Sequence, residues 1–218
     1  RHLLGTASNT YHLWSASFMS NSHATQSTLI SVLWPKSEAS VIARFVTLAV
    51  FGSLLIAVSS KIQVPYYPVP MTMQTFVILT LGMAYGWRLA GATILLYLAE
   101  GAAGLPVFAG TPEKGIGLAY MMGGTGGYLI GFLPAVGVCG WLGERGWDRN
   151  PFTTAIAMLL GNATIYVPGL IWLGVLYGWD KPILEWGLMP FIPGDLTKLA
   201  LATLALPLTW VVIGKSRS

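Results

Sequence analysis

Residues 152–177 read FTTAIAMLLGNATIYVPGLIWLGVLY, a run of 26 residues without a charged side chain. A helix needs about 20 predominantly apolar residues to cross the hydrocarbon core of a bilayer, so this stretch is long enough to span a membrane. The whole chain has the same character, because 54% of its 218 residues are hydrophobic and only 9% are charged. A soluble domain carries roughly 25% charged residues. The composition therefore predicts an integral membrane protein.

Five further apolar segments flank this stretch, and together they predict an all-α membrane protein, a bundle of six transmembrane helices. The six segments are residues 41–60, 74–86, 89–104, 126–143, 152–177 and 196–213. No internal repeat is visible, so we treat residues 41–218 as one transmembrane domain. Residues 1–40 are interpreted as a polar N-terminal tail without the pattern of a signal peptide. Because Met19 opens a sequence typical of a translation start, we expect residues 1–18 to be upstream sequence or a disordered tail.

Basic residues are distributed unevenly between the two ends of the predicted bundle. Lys and Arg accumulate in cytoplasmic loops. One end carries Lys36, Arg44, Arg88, Arg145, Arg149, Lys215 and Arg217, and the other carries Lys61, Lys114, Lys181 and Lys198. The first end is therefore predicted to be cytoplasmic, with both termini on that side. Topology accounts for the formal charge of +4, so no nucleic-acid partner is expected. The opposite loops are longer and richer in Pro, Gly and aromatic residues, and we expect a binding site there.

The segment PGDLTK, residues 193–198, places an acid and a base where the last helix is predicted to begin. Asp195 and Lys198 are three residues apart and would share one helix face. Asp195 suits an N-cap, but a lysine in the first turn opposes the helix dipole, and ionisable residues at membrane depth are functional candidates. We interpret the pair as a ligand site for a molecule with N–H and C=O groups or a carboxylate. The alternative is a cap beside an interfacial lysine.

Two further stretches have both a structural and a functional interpretation. Residues 65–70 hold three prolines, which prevent a helix; this segment is either a stiff loop or a lid over an external pocket lined by Tyr66, Tyr67, Met71 and Met73. The glycine-rich residues 104–110 and 123–128 lack the Lys-Ser or Lys-Thr of a phosphate loop. Their glycines allow either close helix packing or close approach of a ligand, with Phe108 and Tyr128 as stacking walls.

The first helix carries small residues, Ala49, Ser53 and Ala57, at four-residue spacing. Such a stripe lets a second helix approach closely. The second helix can belong to this chain or to a partner, and the spacing alone favours neither.

The residue types needed for catalysis or metal binding are not grouped in this sequence. The histidines, His2, His12 and His23, all lie in the polar tail, and the single cysteine, Cys139, lies in an apolar run where it is expected to be a packing residue. We therefore expect no enzyme, no metal site and no cofactor.

Four segments, in this order, carry a resemblance to a known family: KIQVPYYPVPMTMQTF (61–76), GAAGLPVFAG (101–110), TGGYLIGF (125–132) and FIPGDLTK (191–198). They resemble the BioY family, the biotin-binding S components of energy-coupling factor (ECF) transporters, over about residues 41–213. The chain departs from the family pattern at Gly124, where the family usually has Pro. It departs again after Phe108-Ala109-Gly110, where the family often has a second Gly and this chain has residues 111–114 instead.

The resemblance implies biotin capture at the external face of the bacterial cytoplasmic membrane. It also implies two kinds of partner besides lipid, a transmembrane coupling protein and two ATPase subunits. By resemblance, Asp195 and Lys198 are the biotin-contacting acid and base. Gln74, Tyr128 and Phe108 are further candidate substrate-binding residues, which the resemblance does not assign. The resemblance favours Ala49, Ser53 and Ala57 as a docking surface. The alternatives are a self-sufficient secondary transporter, which typically shows inverted repeats or broken helices, and a structural subunit without a ligand.

Overall fold

A computed structural model describes residues 28–34 and 41–215. Within them the chain is helical apart from its loops and one two-stranded hairpin. The α-helices are α1 (Leu29–Leu33), α2 (Val41–Lys61), α3 (Gln74–Tyr85), α4 (Trp87–Ala102), α5 (Gly117–Met121), α6 (Gly126–Gly143), α7 (Pro151–Tyr177), α8 (Ile183–Gly187) and α9 (Ile192–Lys215). Short 3₁₀ segments cover Trp147–Arg149 and Met189–Phe191. Strands β1 (Gln63–Val64) and β2 (Met71–Thr72) pair antiparallel.

Each of the six predicted apolar segments falls on one long helix, namely α2, α3, α4, α6, α7 or α9. Four stretches within the described residues are long and apolar enough to cross a membrane: Val41–Lys61, Gly126–Gly143, Pro151–Tyr177 and Ile183–Ile213. The predicted multi-pass, all-helical membrane architecture is confirmed. The outward faces suit lipid, because large apolar side chains such as Phe51, Leu54 and Val58 of α2 are exposed.

Local chemistry explains where two of the helices begin. Gly86 separates α3 from α4 with a φ of 79°, a left-handed conformation that favours glycine, and its N–H donates to the Gly82 carbonyl at 3.0 Å. A single residue can therefore reverse the chain. Asn150 caps α7 by accepting a hydrogen bond from the Phe152 N–H at 2.8 Å, and Pro151 occupies the first turn, where proline is tolerated.

Helix α6 lies at the centre of the bundle and contacts α3, α4 and α7. Its Ala135, Val136 and Cys139 are almost fully buried. Glycines allow the close approach of its neighbours: a Cβ on Gly131 would lie 2.7 Å from Ile165 Cα of α7, and one on Gly140 would lie 2.3 Å from the Trp87 nitrogen of α4. Cys139 is a core residue, as its apolar context predicts.

Two features differ from the prediction. Helix α1 lies within the segment predicted to be a polar tail, yet Leu29 is buried in the core because α1 packs against α3. Helix α9 begins at Ile192, four residues before the predicted residue 196, because Pro193 is compatible with a first helical turn. The predictions for residues 1–18, Met19 and the three histidines lie outside the described residues.

Candidate functional site

A cavity of about 550 Å³ of empty space, part of it open to solvent, lies at the end of the bundle where α3, α6 and α9 begin. Most of the wall surface is apolar, and seven of the sixteen lining residues have side chains without a polar group: Val69, Pro70, Ala109, Leu129, Phe132, Ile165 and Phe191. Polar side chains also face it: Thr72, Gln74, Thr75, Tyr120, Thr125, Tyr128, Tyr166, Asp195 and Lys198. A mainly apolar cavity with a few convergent polar groups is typical of a small-molecule site.

The only ion pair among the cavity-lining residues joins the Asp195 carboxylate to the Lys198 ammonium. Lys198 Nζ lies 3.0 Å from Asp195 Oδ1, and the two side chains are 13% (Asp195) and 9% (Lys198) exposed. Nζ also donates to Thr75 Oγ1 at 3.0 Å, and the Tyr166 hydroxyl donates to Asp195 Oδ2. Burying charges at membrane depth is unfavourable unless they are paired and hydrogen-bonded. Both charged groups are therefore held by side chains from other helices and aimed at the cavity.

The early start of α9 changes the structural role of Asp195. The residue was considered as an N-cap, but it lies inside the first turn, and its two carboxylate oxygens accept from Tyr166 and Lys198. A carboxylate in the first turn of a helix is favoured by the macrodipole. The predicted arrangement of Asp195 and Lys198 on one face is confirmed as an i, i+3 pair.

Gln74 lines the cavity at the start of α3 and is 4% exposed. Its side-chain amide donates to the Tyr97 hydroxyl, which in turn donates to the Val107 carbonyl at 3.1 Å. Tyr97 is fully buried and fixes the orientation of the amide. The sequence did not predict this role of Tyr97, because no motif surrounds the residue on α4.

Three aromatic rings from separate elements form one side of the cavity: Tyr128 of α6, Tyr166 of α7 and Phe191 before α9. Their centroids are 6.1 to 6.5 Å apart. The Tyr128 hydroxyl donates to the Gly187 carbonyl at 2.7 Å, so this ring is fixed at both ends. Tyr128 lies at the wall, where the sequence predicted it. Phe191 opens the segment FIPGDLTK, whereas Tyr166 had no sequence signal.

Phe108 is not among the residues that line the cavity. It is 1% exposed and stacks on Tyr120, with centroids 5.0 Å apart and planes at 17°. Tyr120 is the ring that faces the cavity, and its hydroxyl donates to the Ala109 carbonyl at 2.8 Å. Burial raises the pKa of the Tyr120 phenol, so it remains a neutral hydrogen-bonding group. Phe108 therefore supports the wall from behind instead of forming it.

The proline-containing loop borders the cavity, although through other residues than those predicted. Val69, Pro70 and Thr72 line it, whereas Tyr67 is 81% exposed. Tyr66 contacts the Phe191 ring edge-on, with centroids 6.4 Å apart. A Cβ on Gly194 would lie 2.3 Å from Met71 Sδ, so the hairpin lies directly against the start of α9.

The small-residue stripe of α2 faces another helix of the same chain. Ala49 is 6% exposed in a cluster with Leu89 of α4, and the buried Ser53 hydroxyl donates to Glu100 of α4. Ala57 is half-buried against the core. The predicted docking surface needs access that α4 blocks at Ala49 and Ser53, so these two residues serve packing within the chain.

No group of three or more His, Cys, Asp or Glu side chains that could hold a metal ion comes together within residues 28–34 and 41–215.

Comparison with known proteins places the chain in a family. The model of the BioY family matches residues 26–215. The chain is 37% identical to "Probable biotin transporter BioY" of Pyrococcus horikoshii, covering 77% of this chain and 92% of the relative. It is 39% identical to "Biotin transporter BioY" of Rhodobacter capsulatus, covering 74% and 90%. The corresponding protein of Thermotoga maritima is 34% identical, covering 69% and 86%.

A solved structure is also similar. The crystal structure of the S-component for biotin from an ECF-type ABC transporter superposes with a TM-score of 0.62 at 27% identity, covering 80% of this chain and 91% of that one. The family model matches residues 26–215, and the chain covers 86–92% of the three relatives named above. These matches establish homology. The chain belongs to the BioY family.

Proposed function

We propose that this chain is the biotin-capturing S component of an ECF-type transporter and takes up biotin across the bacterial cytoplasmic membrane. The observation that carries the proposal is the Asp195–Lys198 pair, nearly buried in the wall of an otherwise mainly apolar cavity. The family, the relatives named as biotin transporters and the similar S-component structure support it.

The chemistry of the cavity complements biotin. The ureido ring of biotin has two N–H donors beside one carbonyl acceptor, and the carboxylate and ammonium 3.0 Å apart offer the opposite pattern. In the proposed complex Asp195 accepts from a ureido N–H, and Lys198 donates to the ureido oxygen. The thioether ring contacts the aromatic side formed by Tyr128, Tyr166 and Phe191, since sulfur and aromatic rings attract each other.

The proposal includes an orientation in the membrane. Helices α2, α3, α4, α6, α7 and α9 are the six proposed spans, with both termini cytoplasmic. The cavity then opens outward, because it lies where α3, α6 and α9 begin, at the end of the bundle opposite Arg88, Arg145 and Arg149. Single-cysteine labelling tests this orientation with little background, because the one native cysteine, Cys139, is buried. A membrane-impermeant maleimide applied to intact cells is expected to label Lys114→Cys and not Arg145→Cys, and the reverse result contradicts the orientation.

The energy for uptake is proposed to come from partners. The sequence has no Walker motif, so ATP hydrolysis belongs to two ATPase subunits, joined to this chain through a transmembrane coupling protein. The test is uptake of labelled biotin by cells that lack their own biotin transporter. We expect ATP-dependent uptake when all the subunits are present and a loss of uptake when the ATPase Walker lysine is substituted. Full uptake by this chain alone would support a self-sufficient secondary transporter instead.

A further inference from the structure

Helix α7 carries a polar side chain to which the site described above assigns no role. Asn162 lies near the middle of α7, within the long uncharged segment. Its side-chain oxygen, Oδ1, is buried and has no hydrogen-bond partner among the residues that the structure describes. Leaving a buried acceptor unpaired is unfavourable, and polar residues at membrane depth point to function.

The register of α7 against α9 places Asn162 near Lys198. The two helices run antiparallel, since Tyr166 bonds to Asp195 while Trp210, near the end of α9, bonds to Asp148, just before α7. Asn162 is four residues before Tyr166, so the two share a face of α7 and lie one turn apart. One turn toward the start of α7 corresponds to one turn further along α9, which is the level of Lys198.

The surrounding empty space supports this placement. Asn162, Lys198 and Thr75 line the same small recess. A second, mainly apolar groove on the outer side is also lined by Asn162, together with Tyr166 and Asp195. The amide therefore lies between the ion pair and the outer side of the α7–α9 interface.

The Lys198 ammonium has three N–H donors. Two of them go to Thr75 Oγ1 and Asp195 Oδ1, each at 3.0 Å. The third has no acceptor among the described side chains. An unpaired donor and an unpaired acceptor thus line one recess.

We propose that Asn162 is a positioning residue of the ligand site, whose side chain turns within the shared recess so that Oδ1 becomes the third acceptor of the Lys198 ammonium. The inference rests on the proposed function. When a ligand N–H donates to an oxygen of Asp195, the hydrogen bond between Lys198 and that carboxylate weakens. Thr75 and Asn162 then keep the ammonium fixed, so that it can donate to the ligand.

The test is a double-mutant cycle with Asn162→Leu and Lys198→Met, measured as biotin affinity by calorimetry and as melting temperature without biotin. Asn162→Leu is expected to weaken biotin binding about tenfold when Lys198 is present, the loss typical of one hydrogen bond to a charged group. In the Lys198→Met background the same change should have no further effect. Asn162→Gln, which keeps a neutral amide acceptor, should lose less affinity than Asn162→Leu. Thr164→Val is the matched control, because among the described residues the Thr164 hydroxyl bonds only to the Gly161 carbonyl of its own helix.

The outcomes separate the inference from the proposed function. Equal effects of Asn162→Leu in both backgrounds, or no effect in either, would overturn the positioning role, because coupled residues give non-additive changes. If the unchanged, folded protein does not bind biotin, the proposed function fails. The melting-temperature cycle then still decides, because a direct Asn162–Lys198 bond requires coupling without ligand.

Discussion

Replacing Asp195 by Asn removes one charge from the proposed site and leaves its shape almost unchanged. The carboxylate accepts from the Tyr166 hydroxyl at one oxygen and from Lys198 at the other. An asparagine keeps one acceptor oxygen and turns the other position into a donor. A charge-assisted hydrogen bond contributes about 1.5–3 kcal/mol, so biotin affinity should fall by about tenfold to a hundredfold or slightly more.

The assay is isothermal titration of the purified protein with biotin, run well below the melting temperature of each variant. Asp180→Asn is a matched control, since Asp180 and Lys181 also form a 3.0 Å pair but are 74% and 49% exposed. Exposed pairs contribute about 0–1 kcal/mol, so this control should change neither stability nor affinity noticeably. A folded Asp195→Asn protein that binds biotin within twofold of the unchanged protein would refute the role of the carboxylate.

Three further predictions concern the surroundings of the site. Lys198→Met should lower both the melting temperature and the biotin affinity, the latter at least tenfold, because it leaves the Asp195 carboxylate without its cation. Thermal unfolding and biotin titration measure the two effects, and a variant with unchanged melting temperature and affinity would contradict the prediction. Gly101→Ala should lower the free energy of unfolding by about 1–3 kcal/mol, since its Cβ would lie 2.0 Å from Phe108 Cζ. The control is Gly91→Ala on the same helix, which has open space and should be neutral or stabilising. Equal melting temperatures for the two variants would contradict the packing of Phe108 described here. Burial raises the pKa of Asp148, so the native state binds its proton more tightly than the unfolded chain and loses stability as pH rises above the ordinary carboxyl value of about 3.9. Asp148→Asn keeps an acceptor for the Trp210 indole, so its stability relative to the unchanged protein should increase from pH 4 to pH 7. A relative stability that decreases over this range would contradict the raised pKa of Asp148.

The helical framework was largely predictable because length and apolar character are local properties of a sequence. The segments 41–60 and 126–143 agree with α2 and α6 to within one residue. The start of α9 was misplaced because Pro193-Gly194 has the composition of a turn, while proline is also compatible with the first turn of a helix. Local sequence does not distinguish these two outcomes.

The site was predictable only where its residues are close in the sequence. Asp195 and Lys198 are three residues apart, so helical periodicity was enough to pair them. Their partners Tyr166 and Thr75 are 29 and 123 residues away, respectively, and no spacing rule connects them. For the same reason Phe108 was expected at the wall, which Tyr120 forms instead.

The central claim is that this cavity binds biotin selectively, and calorimetric titration of the purified protein with biotin and, separately, with thiamin tests it most directly. A saturable heat with one biotin per chain and no heat with thiamin is the result that the Asp195–Lys198 geometry predicts. Folded protein that gives no heat with biotin, or equal heats with both vitamins, would contradict the account.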